Sequence, residues 1–188
     1  MSLFALRSLT ATARALSSST LTPATARALS SSSGPPPLPT RAAFPHWERL
    51  QTRWNDNDMQ GHVNNALYYG FVDDAINRHL LAHAVDAQYA RFVAASSCRY
   101  VAPLSYPDDL DVGMRVTKIG SSSATYEVGI FRAPRVAEAG SRGADVVDQD
   151  EVAAAVVDWV HVYVDAESGR PSPFDDKVRA VLTSLVTE

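Results

Sequence analysis

The side chains best suited to chemistry are concentrated in one short stretch, residues 53–65. Asp56 and Asp58 lie two positions apart, so their carboxylates would share a face in extended backbone. Gly61 permits a sharp turn, and His62 adds an imidazole directly after it. Because a carboxylate can act as a nucleophile or as a general base, the stretch predicts chemistry on an activated acyl group.

An amphipathic helix is predicted to follow this stretch. Apolar residues recur at three- and four-residue spacing from Ala66 to about Ala84. Asn64 or Asn65 could cap the first turn, whose free N–H groups favour developing negative charge. The sequence therefore predicts an active-site turn that places Asp58 beside the amino end of a helix.

The other segments predict an antiparallel sheet. Alternating apolar and polar residues, bounded by turn residues, indicate five strands. These are residues 47–54, 90–104, 110–119, 124–132 and 152–164. Residues 174–186 have helical spacing and begin with acidic residues. The predicted class is α+β, with an antiparallel sheet wrapped around one long central helix and a short C-terminal helix.

The run D-x-D-x-x-G-H-V-N-N at residues 56–65 resembles the signature of the 4-hydroxybenzoyl-CoA thioesterase-like branch of the hot-dog superfamily. Residues 68–69, 100–104 and 120–123 are also similar to acyl-CoA thioesterases of that branch, and the resemblance covers about residues 47–186. It implies the hot-dog fold, with protomers paired as a homodimer or a dimer of dimers. It also implies hydrolysis of an acyl-CoA without a metal or cofactor, CoA being part of the substrate.

By this resemblance, Asp58 matches the catalytic aspartate of the family. His62 could orient Asp58, bind the substrate carbonyl or only hold the loop. For Asn64 and Asn65, capping of the helix is the first expected role and contact with the substrate the second. An amide facing the site, which we assign to Asn65, could position water, and Tyr68 is a further substrate-binding candidate.

A serine-rich turn and two other groups are weaker candidates. Ser121, Ser122 and Ser123 could meet the pantetheine or phosphates of CoA, although serines after glycine usually form a hairpin turn. His79 and His83 have the spacing of a metal pair but lack a third ligand, so we expect solvent-facing histidines. Cys98 could be a thiol nucleophile, but packing is the expected role.

Two other functions fit the same fold. A hydratase would act on the acyl chain, and it would be expected to show a different arrangement of histidine and acid. A non-catalytic protein that binds acyl-CoA or an acyl carrier would keep the fold and the interface without turnover.

The N-terminal residues differ in composition from the rest. Residues 1–46 contain four arginines and no acid, whereas thirteen basic and twenty-one acidic residues follow. The amphipathic, arginine-rich pattern predicts a mitochondrial presequence, with a plastid address as the alternative, and then a disordered linker rich in proline and serine. Residues 47–188 form the predicted domain. Their negative charge argues against nucleic acid as a partner, and no apolar run is long enough to predict a membrane span.

Overall fold

The computed structural model describes residues 36–83, 85, 89–134 and 147–187. From Pro37 onward the chain forms one compact unit. Its elements are β1 (His46–Gln51), α1 (Leu67–Ala82), β2 (Tyr89–Tyr100), β3 (Asp109–Ile119), β4 (Ser123–Arg132), β5 (Ala155–Asp165) and α2 (Asp176–Thr183). Short 3-10 helices occur at Arg41–Ala43 and Trp54–Asp56. No helix within these ranges is long and apolar enough to cross a bilayer.

The five strands form one antiparallel sheet in the order β1-β3-β4-β5-β2. One face packs against α1 and α2 and contains the main hydrophobic core. The predicted hot-dog fold is therefore confirmed, with strand ends within a few residues of the predicted ones. β2 is an edge strand, paired with β5 alone among the described strands.

The periodicity of α1 explains its position on the sheet. Tyr68, Val72, Ile76 and Leu80 are buried at the predicted three- and four-residue spacing. The helix begins at Leu67, one residue later than predicted. The reason is that the preceding residues form a turn, in which the amide oxygen of Asn64 accepts a hydrogen bond from the Ala66 N–H at 3.0 Å.

The prediction of a solvent-facing histidine pair was wrong for His79. This side chain is only 3% exposed, and its ring lies 4.1 Å from that of His46 and 4.4 Å from that of His83 between ring centroids. β1 covers this end of α1, so position 79 belongs to the buried stripe. Burial lowers the pKa of His79 to about 4, and the neighbouring histidines act in the same direction. His83 itself is exposed.

A second buried histidine lies in the sheet. His161 on β5 is 2% exposed, and the rings of Tyr126 and Tyr163 lie near it at centroid distances of 5.7 and 6.4 Å. Burial lowers the pKa of His161 to about 4, helped by the positive charge of Arg91. Both buried histidines are therefore neutral at physiological pH.

A smaller hydrophobic cluster covers part of the outer face of the sheet. Gly113 and Gly129 are paired across β3 and β4, and the ring of Phe44 lies over them. A Cβ atom would come within 2.8 Å of this ring at Gly113 and within 2.6 Å at Gly129, so a side chain at either position would displace Phe44. Phe131 and Trp47 complete the cluster.

Arg41 connects the N-terminal residues to the sheet. Its buried guanidinium pairs with Asp111 at 3.1 Å and with Glu151, and lies 4.6 Å from the centre of the Phe131 ring. Residues 37–46 thus belong to the same compact unit as the sheet. Of the predicted presequence and linker, residues 1–35 lie outside the described residues.

The two buried histidines predict a pH-dependent stability. Above about pH 6.5 they are neutral in both folded and unfolded chains, but between about pH 6.5 and 4 only the unfolded chain takes up their protons. The free energy of unfolding should therefore decrease as the pH is lowered through this window, by at most about 3 kcal/mol per histidine. Urea unfolding at about pH 7 and pH 4.5 measures the fall.

The fall should be smaller in His79→Gln and in His161→Gln than in the wild type. His62→Gln, which changes an exposed histidine in contact with neither buried histidine, is the matched control and should keep the wild-type pH dependence. An equal fall in all four proteins would contradict the prediction.

Candidate active site

The predicted reactive stretch folds as a hydrogen-bonded loop between β1 and α1. The Asp58 N–H donates to the carbonyl of His62 at 2.7 Å, and the Gly61 N–H donates to the carbonyl of Asp58 at 3.1 Å. Gly61 has φ of +79°, a conformation that favours glycine, so it forms the predicted turn. Asn57 and Val63 form an antiparallel bridge across the loop.

The carboxylate of Asp58 is held through one oxygen. Oδ1 accepts hydrogen bonds from the backbone N–H groups of Gln60 at 2.8 Å and His62 at 3.4 Å. Within the described part of the chain, no hydrogen bond reaches Oδ2. The side chain is half-buried, and Oδ2 thus has lone pairs that no described donor uses.

Asp56 has a different environment. It is 1% exposed, and its two carboxylate oxygens accept hydrogen bonds from the backbone N–H and the guanidinium of Arg53, at 2.6 and 3.1 Å. Its carbonyl accepts from the Asn64 N–H at 2.9 Å. The expected common face for Asp56 and Asp58 is not formed, because Asp56 ends a 3-10 turn and points inward.

Asp58 opens into a cleft of about 260 Å³. The cleft is lined by Asp58, Gln60, His62, Val63, Asn65, Tyr68, Tyr100, Val101, Ala102 and Pro103. Four of the predicted site residues, Asp58, His62, Asn65 and Tyr68, are thus brought together. Asn64 is not among the lining residues, because its side chain is used in the turn before α1.

Tyr100 is a cleft residue that the sequence analysis did not single out. Its hydroxyl donates a hydrogen bond to the carbonyl of Asn65 at 2.8 Å, and its ring lies edge-on to that of Tyr68 at 5.1 Å. Burial raises the pKa of Tyr100 to about 12 and also raises the pKa of Tyr68, so both phenols keep their protons. The sequence signal that could have identified Tyr100 was the resemblance of residues 100–104 to acyl-CoA thioesterases.

The serine-rich turn lies elsewhere in the protomer. The carbonyls of Ser121 and Ser122 accept hydrogen bonds from the N–H groups of Phe174 at 3.1 Å and Tyr163 at 2.8 Å, and Ser123 closes the hairpin with Gly120. These three serines do not line the Asp58 cleft. That these three serines contact CoA stays a prediction.

A larger cleft of about 370 Å³ lies on another side of α1. Its carboxylates are paired with arginines, Asp56 with Arg53 and Asp74 with Arg78 at 3.0 Å. Such pairing leaves these carboxylates poorly suited to attack a substrate. The smaller cleft, with the unpaired oxygen of Asp58, is therefore the better candidate for catalysis.

Cys98 is half-buried on β2 and contacts the main core. Burial raises the pKa of its thiol, which disfavours the thiolate that a nucleophile requires. This environment favours the packing role over the catalytic one.

Comparisons with known proteins agree with this geometry. Residues 52–182 match the thioesterase-like superfamily. No curated protein matches the chain. A solved structure, the PA5185 protein of Pseudomonas aeruginosa strain PAO1, is 34% identical with a TM-score of 0.68, over 81% of this chain and 99% of that one.

Two further solved structures carry functional names. A thioesterase from Thermus thermophilus, complexed with coenzyme A and Zn, is 26% identical with a TM-score of 0.56, over 74% of this chain and 98% of that one. Slr0204 from Synechocystis, a 1,4-dihydroxy-2-naphthoyl-CoA thioesterase, is 15% identical with a TM-score of 0.59, over 76% and 98%. At this identity the likeness to Slr0204 concerns the fold alone.

The family match includes the loop of Asp58, all of α1 and every strand after it. It extends over more than half of the chain, and it agrees with the resemblance that residues 56–65 suggested. The chain belongs to the thioesterase-like superfamily.

Proposed function

We propose that this protein is an acyl-CoA thioesterase, which hydrolyses an acyl-CoA to a free acid and CoA. The observation that carries the proposal is the carboxylate of Asp58, which is fixed through one oxygen by its own loop and belongs to a residue that lines a cleft at the start of α1. The superfamily supports thioester hydrolysis as the reaction class. The CoA complex of the Thermus relative supports CoA as the leaving group.

The thioester carbonyl would lie near the amino end of α1, where the helix dipole stabilises the developing oxyanion. In one route, Oδ2 of Asp58 attacks the carbonyl carbon, the C–S bond breaks, CoA leaves as the thiolate, and water hydrolyses the resulting mixed anhydride. In the other, Asp58 takes a proton from the water that attacks. The phenol of Tyr100, protonated at neutral pH, holds the Asn65 carbonyl and thereby the turn before α1.

Substitution of Asp58 by Asn is the direct test. The amide keeps the shape of the side chain but is neither a nucleophile nor a base, so turnover should fall ~10²-fold or more. CoA release is measured on purified, folded protein over short, medium, long and aromatic acyl-CoAs. Asp150→Asn, an exposed carboxylate outside the cleft, should retain wild-type turnover.

Near wild-type turnover of Asp58→Asn would contradict this role. If the wild type hydrolyses no thioester but binds a non-hydrolysable CoA thioether tightly, the alternative of a non-catalytic acyl-CoA or acyl-carrier binding protein is correct instead. A single turnover in heavy-oxygen water identifies direct attack if the label enters the Asp58 carboxylate, because this requires the anhydride and attack of water on its Asp58 carbonyl.

We also propose that the protein is a homodimer, alone or as half of a dimer of dimers. β2 is a twelve-residue edge strand whose second side pairs with no other described strand. Exposed apolar side chains accompany it and the Asp58 loop: Trp54, Met59, Phe92, Val93, Tyr100 and Val101. Such an edge favours pairing with another strand, and pairing β2 with β2 of a second copy would cover these residues and complete the cleft.

A charge on this edge should disrupt the dimer. In Phe92→Asp, an apolar side chain that is 59% exposed becomes anionic in both copies, so we expect monomers and reduced CoA release. Leu81→Asp, at a 65% exposed position of α1, is the matched control and should stay dimeric. Sedimentation velocity measures the outcome, and a monomeric wild type would rule out the proposed assembly.

We propose mitochondrial import for the N-terminal residues, with a plastid address as the alternative. The support is their composition, with arginines and no acid before a compact unit that starts at Pro37. A fluorescent reporter fused to residues 1–36 should accumulate in mitochondria. Accumulation in plastids would favour the alternative, and a cytosolic reporter would contradict import.

A further inference from the structure

Arg91 of β2 is a cation without a described counter-ion. Its Nη2 donates to the amide oxygen of Asn77 on α1 at 3.0 Å, and this acceptor is uncharged. Among the described residues no carboxylate pairs with Arg91, and its Nε is buried without a hydrogen-bond partner. Because one of its donors is buried and unsatisfied, a negative group beside this guanidinium would be stabilising.

His161 supplies a second donor on the same side of the sheet. The indole Nε1–H of Trp159 donates to Nε2 of His161 at 2.8 Å. Because an indole N–H can only donate, Nε2 holds the lone pair, and the neutral ring carries its proton on Nδ1. This Nδ1–H is buried and has no acceptor among the described residues.

The two donors belong to neighbouring strands and lie on the same face of the sheet. Arg91 lies opposite Tyr163 in the β2–β5 pairing, and His161 is two residues from Tyr163 on the same face. The hydroxyls of Tyr126 and Tyr163 lie 3.4 Å apart beside them. A guanidinium, an N–H donor and phenol groups together match a carboxylate, the group that arginine binds most specifically.

One side of α1 connects this cluster with the Asp58 cleft. Tyr69 and Asn77 lie eight residues apart on that side, and the Tyr69 ring is 6.3 Å from the ring of Trp159. Asn77 lies about 15 Å along the helix from Leu67, at about 1.5 Å per residue. An acyl group with its thioester at Asp58 would thus pass Tyr69 and Trp159 before its far end reached Arg91.

We propose that the preferred substrate is a long acyl-CoA with a carboxylate at the far end of its acyl chain. In this assignment Arg91 binds the terminal carboxylate, and the Nδ1–H of His161 donates the second hydrogen bond. The assignment rests on the proposed acyl-CoA thioesterase function and specifies its substrate class.

Matched substrate pairs test this assignment on the full-length protein. Each pair has the same chain length, about 8 to 16 carbons, and ends either in a carboxylate or in a methyl group. We expect kcat/KM from CoA release to be at least about tenfold higher for the carboxylate member of the best pair, as a charged hydrogen-bonded contact would give. Arg91→Met should abolish that preference and leave the methyl-terminated substrate as good or better.

Two variants control the charge and the general effect of replacing an arginine. Arg91→Lys keeps the charge without the planar fork and should retain part of the preference. Arg170→Met, at an exposed position, should behave as the wild type. A preference that survives in Arg91→Met, or an equal loss on both substrates of a pair, would overturn the assignment.

A binding measurement decides the question independently of turnover and of any variant. Isothermal titration compares dodecanedioate with dodecanoate on the wild-type protein, and tighter binding of the diacid supports the carboxylate site. Equal binding, or equal kcat/KM within each pair while both are hydrolysed, overturns the substrate assignment but leaves the thioesterase proposal intact. If no acyl-CoA of any kind is hydrolysed, the thioesterase proposal itself fails.

Discussion

The buried residue Asp56 joins the two ends of the loop that carries Asp58, through its carboxylate at one end and its backbone carbonyl at the other. One end is held through the Arg53 N–H and guanidinium, and the other through the hydrogen bond from Asn64 to the Asp56 carbonyl. Because Asn64 also accepts from Ala66 just before α1, a single buried residue fixes the distance between β1, the loop and the helix start. The carboxylate of Asp58 is held by backbone N–H groups rather than by a partner side chain, and its Oδ2 accepts no hydrogen bond among the described residues.

The two halves of the sheet also differ in how far they are covered. The half next to β1 is covered on its outer face by the N-terminal residues, through Phe44 and the ion pairs of Arg41. The half next to β2 keeps an open edge, close to Tyr100 and the Asp58 cleft. Stability is thus concentrated where no ligand is proposed to bind, and incomplete burial is concentrated around the candidate site.

Much of the fold follows from local sequence, whereas the details of the site depend on distant contacts. The spacing of Val72, Ile76 and Leu80 predicts α1, and Gly61 predicts the turn, because both signals lie within a few neighbouring residues. The burial of His79 depends on β1 and could not be read from the helix. Likewise, nothing in residues 36–46 indicates that Arg41 would meet Asp111, which is distant in sequence, and the role of Tyr100 needs the loop and β2 together.

The ring of Phe44 over Gly113 and Gly129 also limits how larger assemblies can form. With this ring and Trp47 lying on the outer face, the β1–β3 part of the sheet has no flat surface left on which another sheet could stack. In a dimer of dimers of the proposed kind, flat back-to-back stacking would have to avoid this part of the outer face. The packing that covers the hydrophobic surface of one protomer would thereby also limit the geometry of a tetramer.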